Sequence, residues 1–192
     1  MNVDFLDLLT DSDLLKIPQK MRRFLEVDGN QSMGESTWGY FAYGFSAGFE
    51  QLAEQAWKQW PRREYLRLPV LYLCRHSIEL AVKAAIADCA RHTASVCVTE
   101  GHNLHVLWNE LLKQISCGGF PTDDDWTRHC GRLISHIHDF DPNGERFRYP
   151  ADKAGSSFEL TQVEFKELLK AHWHLKSYCE AVISMFDASS PC

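Results

Sequence analysis

Several patterns that would define a class are missing from this chain of 192 residues, and each absence excludes something. Cysteines occur seven times (74, 89, 97, 117, 130, 179 and 192) but never as a CxxC pair. An odd, scattered set argues for reduced thiols and against a disulfide framework or a cysteine zinc site. Basic residues are outnumbered, 20 Lys and Arg against 26 Asp and Glu, for a net charge of −6. No global field therefore draws the chain onto nucleic acid, and any such contact must rest on a local patch. The longest apolar run, around residues 68 to 90, is broken by Arg75, His76, Glu79 and Lys83, so no membrane span is expected. The start, MNVDFLDLLTDSD, is acidic and lacks a basic segment followed by an apolar one; a cytoplasmic location is the expectation. Alternating strand patterns, glycine-rich phosphate loops and the glycine frame of a serine-hydrolase elbow are missing as well.

What is present is helical periodicity. The pattern predicts an all-α, single-domain bundle of about five to six helices. Residues 1–35 form an N-terminal helix and polar loop expected to pack on the bundle, and residues 36–188 form the bundle itself. A short amphipathic start covers Phe5 to Leu15. A helix over Thr37 to Trp60 contains Gly44 and Gly48, each costing about 1 kcal/mol against alanine. Close approach of another helix, within the subunit or across a dimer, would offset that cost. Helices follow over Leu66–Ala90, from Leu104 to Ile115, and after Thr122, a plausible N-cap ahead of Asp123, Asp124 and Asp125. The last helix opens with a Thr161/Glu164 capping box and a Leu160/Phe165 staple. Its seam runs through Leu168, His172, Leu175, Cys179, Val182 and Phe186.

The Leu66–Ala90 helix reverses the usual balance of a surface helix. Tyr72, Arg75, His76, Glu79 and Lys83 fall within an arc of about 100°, and nearly everything else is apolar. Such a helix belongs at the centre of its fold. Its polar stripe has three readings: a buried network, a ligand or phosphate groove, or a thin exposed strip. A network requires partners, and Arg146 or Arg148 could meet Glu79 while Asp141 meets Arg75. These two arginines lie with Tyr149 in the turn-rich stretch DPNGERFRYP, inside a long irregular segment of the kind that often carries function.

Three pieces, YLCRHSIELAVKAAI, GHNLHVLW and DPNGERFRYP, occur in an order and spacing that resembles the HEPN superfamily. These are small prokaryotic helical domains of toxin–antitoxin and defence systems, and the FRYP ending resembles one of their subgroups. The resemblance covers roughly residues 66 to 186. It implies a dimeric bundle whose polar groove binds a partner protein, nucleotide or RNA. Tyr72, Arg75, His76, Glu79, Lys83, His102, Asp141, Arg146, Arg148 and Tyr149 are the groove residues it points to. The function expected is interaction or regulation, without a cofactor.

The alternative is metal-independent RNA cleavage, for which the family pattern is an Arg followed by a His four to six residues on. Attack by a ribose 2′-hydroxyl needs a cation for the developing phosphate charge and an imidazole to move the proton. Here only Arg132 and His138 offer that spacing, and on a continuous helix they point about 120° apart. The run His136, His138, Asp139, Asp141 suggests metal ligands, but its spacing does not converge on one helix face; no metal is expected there.

Overall fold

The computed structural model describes residues 37–159 and 162–189. The expected Phe5–Leu15 helix and the 1–35 segment lie outside the described residues, as do Leu160 and Thr161 of the capping box and staple. Among the described residues there are five α-helices, one short 3-10 turn and no strand beyond a single bridge between Ala151 and Ser157. The all-helical bundle inferred from periodicity is what the chain forms. No helix among these residues is long and apolar enough to cross a membrane.

Helix α1 spans Trp38–Gln59, started by Thr37, whose Oγ1 accepts from the Tyr40 amide at 3.2 Å. A 3-10 turn, Glu64–Leu66, leads into α2, Arg67–Thr93. Pro69 sits in the first turn of α2, where its missing N–H leaves no carbonyl unserved. Ala94 ends α2 in the left-handed region, φ 50°. Helix α3, Leu104–Cys117, is capped by Asn103, whose Oδ1 accepts from the Val106 amide. Helix α4, Asp125–Phe140, is capped by Asp124 and not by Thr122. One carboxylate serves the amides of both Trp126 and Thr127 and also the Thr127 hydroxyl, which a threonine at 122 could not match. Helix α5 is Phe165–Ser189.

The central position expected of α2 is realised. Fifteen of its 27 residues are buried, and it packs against α1, α3 and α5, with α4 laid across α3 and α5. The core joins Phe49 of α1 to Ile78 and Ile86 of α2, Leu107 and Leu111 of α3, Ile134 of α4, and Leu175 and Phe186 of α5. The α5 seam appears as expected, with Leu168 only partly buried and Tyr178 added, its hydroxyl 3.0 Å from Thr127 Oγ1. His172 on that seam is a core imidazole, its Nε2 2.8 Å from Ser77 Oγ and its ring against Phe49. Ser77 gives its one proton to the Cys74 carbonyl at 2.9 Å, so the imidazole Nε2–H must donate to Ser77.

Gly44 and Gly48 are exposed, and a Cβ on either would meet nothing within 4 Å. Among the described residues, then, no helix of the same chain takes advantage of them. Gly118 is the glycine that packing demands. A Cβ there would lie 2.5 Å from Cζ of the buried Phe186 ring. Gly118→Ala is expected to lower stability by about 1–3 kcal/mol through overpacking, read as a shift in urea midpoint at unchanged m-value. Gly44→Ala should be neutral or stabilising.

Candidate functional site

The polar stripe of α2 is a buried ion network. Arg75, Glu79 and Lys83 are 3%, 1% and 5% exposed, in a helix position where unpaired charge could not persist. Glu79 is the hub. Its Oε2 accepts from Arg75 Nη1 at 2.8 Å, and its Oε1 accepts from Lys83 Nζ at 2.9 Å. The imidazole of His102, from the loop ahead of α3, reaches the same Oε1 through Nδ1 at 2.9 Å. Burial alone would raise the Glu79 carboxyl, but hydrogen bonds from Lys83, Arg75 and His102 prevail and hold it below the usual carboxylate value. Lys83 also lies 5.2 Å over the Trp38 ring of α1.

The turn after α4 closes over Arg75. Arg75 Nε donates to the Asp141 carbonyl at 3.1 Å and lies 3.3 Å from Asp141 Oδ2, while Nη2 donates to the His102 carbonyl at 2.5 Å. Asp141 spends its other oxygen on the amides of Glu145 and Arg146, which builds the turn. Gly144 completes it at φ +71°, with the position of a Cβ only 3.2 Å from Arg75 Nη1. The network thus balances two cations, Arg75 and Lys83, against two carboxylates, Glu79 and Asp141.

The pairing of Asp141 with Arg75 is as expected; that of Arg146 or Arg148 with Glu79 is not. Both Glu79 oxygens are occupied by nearer donors, and backbone carbonyls hold the two arginines elsewhere. Arg148 Nε donates to the Gly144 carbonyl at 2.5 Å, and Arg146 Nη2 to that of Glu159 at 3.0 Å. Arg146 further faces the rings of Phe140 and Phe158. What covers the Arg75 end of the stripe is Asp141–Gly144, a few residues before the FRYP segment, while His102 meets Glu79 and Trp38 lies against Lys83.

At the rim the side chains are open. Tyr72 and His76 stack nearly parallel, centroids 5.5 Å apart, and Phe45 of α1 meets His76 edge-on at 4.5 Å. Arg148 and Tyr149 are exposed, the guanidinium 5.5 Å from the tyrosine ring centre. Partial burial pushes the His76 pKa down; the charges of Arg75, Arg148 and His102 push the same way, and Glu79 opposes them. The net effect favours the neutral imidazole, held between Tyr72 and Phe45.

Arg132 and His138 share α4 but not a direction. They are six positions apart, about 9 Å of rise. Arg132 is exposed, whereas His138 packs on the ring of His105 from α3, centroids 4.1 Å apart. His138 Nδ1 is buried with no hydrogen-bond partner, and burial, with the charges of His105 and Arg75, lowers its pKa against the pull of Asp139 and Asp141. His105, bonded to Ser135 Oγ at 3.2 Å, is a member of this neighbourhood that sequence reading missed. Its i,i+3 relation to His102 across the helix start was the available signal. His136 turns away, its ring on Phe140, toward an apolar cavity of about 360 Å³. Leu71, Leu133, Ile137, Phe140 and Phe147 line that cavity, with Arg75 in its wall.

Comparison of the chain with family models, with curated proteins and with solved structures finds no match. The functional reading must therefore come from the geometry above.

Proposed function

We propose that this chain is a HEPN-like binding module, without catalysis of its own, that takes single-stranded RNA on the face formed by Tyr72, His76, Arg148 and Tyr149. One observation carries the reading: beside a charge network that is already balanced, the half-buried Tyr72–His76 ring pair lies within the electrostatic reach of the exposed Arg148, whose guanidinium is 5.5 Å from the Tyr149 ring centre. Arg75 and Lys83 are spent on carboxylates and are not available to phosphates. Bases stacking on Tyr72 and Tyr149, with Arg148 supplying the cation, suit a chain whose overall charge is negative. The resemblance adds a regulatory setting in a prokaryotic defence or toxin–antitoxin type system. It adds a homodimer too, for which α1 offers its outward Tyr40, Phe41 and Tyr43 beside Gly44.

Fluorescence anisotropy with a labelled oligoadenylate tests the reading. Tyr72→Ala should weaken binding by about 1–3 kcal/mol with the helical circular dichroism intact. Arg148→Ala should weaken it and flatten the salt dependence. Binding that ignores both changes, or no binding, removes the proposal.

The second reading is metal-independent cleavage, favoured by one detail, the unpartnered Nδ1 of the half-buried His138. Because Arg132 and His138 diverge within one chain, a working site would draw one from each of two copies. RNA cut in EDTA to a cyclic phosphate, and spared by Arg132→Ala or His138→Ala, would overturn the non-catalytic reading.

A further inference from the structure

We infer that Asp88, His92 and Asp187 form a binding site for a divalent first-row transition ion, at the far end of α2 from the ion network. Asp88 and His92 are four apart on α2 and present their side chains on one face. Asp187 comes from the last turns of α5. One donor atom from each lies within 4.8 Å of the other two. His92 Nε2 is 3.0 Å from Asp187 Oδ1 and 3.5 Å from Asp88 Oδ2. Ligands bound at about 2.0–2.2 Å to one ion sit roughly 3.0–3.5 Å from each other, so two of the three separations already suit a shared centre. Asp187 is more than half exposed and free to close the third.

A second observation points the same way. Asp88 Oδ2 is a buried oxygen with no hydrogen-bond partner. Arg91 binds the other oxygen, Oδ1, and so turns Oδ2 toward His92. A protonated His92 would place its charge beside both carboxylates, 3.0 Å from Asp187 and 3.5 Å from Asp88, without giving Asp88 Oδ2 a hydrogen bond. A single Nε2–H directed at Asp187 leaves Asp88 Oδ2 unserved, whereas one cation among the three donors satisfies all of them. The Phe186 ring, 6.0 Å from that of His92, packs beside the imidazole.

The donor chemistry selects the metal class. One imidazole nitrogen with two carboxylate oxygens suits manganese, iron, cobalt or zinc in the divalent state, and suits magnesium or calcium poorly. Three protein ligands leave coordination positions to water. Arg91 offsets one of the two negative charges, which limits affinity.

The full chain, stripped with EDTA and kept reduced, should be titrated with Mn²⁺, an ion that avoids the thiols. Free Mn²⁺ is followed by electron paramagnetic resonance, and the nine histidines by long-range proton–nitrogen spectra. One saturable equivalent is expected, with His92 broadened before any other imidazole. Asp187→Asn, at an exposed position that folding tolerates, should weaken binding on the order of ten-fold or more, as should His92→Gln. Absence of saturable binding, broadening centred on other histidines, or unchanged affinity in Asp187→Asn would overturn the assignment.

Discussion

Replacing Glu79 by alanine should cost about 3–5 kcal/mol of folding stability, several-fold more than any exposed helix pair could account for. Glu79 is 1% exposed and receives Arg75, Lys83 and His102. Without it, two cations stay buried with only Asp141 and backbone carbonyls to face. Arg75 keeps the Asp141 and His102 carbonyls, but Lys83 keeps no anion at all. Urea unfolding would register the change as a large fall in midpoint. Exchanging the whole network for an uncharged set, Arg75→Met, Glu79→Leu and Lys83→Met with Asp141→Asn, whose amide oxygen can still accept from the turn amides, should recover much of the loss, because the penalty lies in stranded charge and not in absent attraction. A loss of only a few tenths of a kcal/mol in Glu79→Ala would mean that water reaches the stripe in solution.

Stability should also fall by about 3 kcal/mol as pH drops from 6.5 to 4, through His172. Burial holds this imidazole at about 4, against 6.5 when free, with the Lys176 charge helping and Glu50 opposing. Between those values the unfolded chain binds a proton that the native chain refuses. Its stabilising contribution is thus complete above 6.5 and lost as pH falls toward 4. His76 and His138, also lowered, add to the slope with the same sign. Glu79 enters only below 4.5, so its loss is separable. Urea midpoints measured across this range should show the slope, and His172→Phe, which keeps a ring against Phe49, should remove most of it. A slope unchanged in that variant would place the proton uptake elsewhere.

The central helix and its stripe were legible because they depend on spacing alone. Five polar residues within one arc of an otherwise apolar helix must be matched, exposed or functional, and the first of these holds for Arg75, Glu79 and Lys83. Partner choice was harder to read. Arg148 looked available for Glu79 by charge, but loop geometry decided otherwise: Asp141 winds its own turn, and Arg148 is captured by Gly144's carbonyl before it can reach α2. His102 stands just ahead of α3, but the next residue, Asn103, caps the helix and leaves the imidazole for Glu79. The N-cap at Asp124 was missed for a similar reason, since three consecutive aspartates and a threonine all carry the right chemistry and only backbone direction distinguishes them. The Asp88–His92–Asp187 group needs α2 and α5 to lie side by side with their C-terminal turns together, and no local pattern announces that.

The contact between Gly144 and Arg75 carries a consequence for how such a chain can change over time. Position 144 is held to glycine twice, by its left-handed backbone and by the Arg75 guanidinium beside it. A lineage that shortened residue 75 would lift the second constraint and leave the first, and would take from Asp141 its cation but not its two amides. Related sequences, once aligned, should therefore keep glycine at 144 wherever this turn is kept, and should show an arginine at 75 only where 141 is acidic.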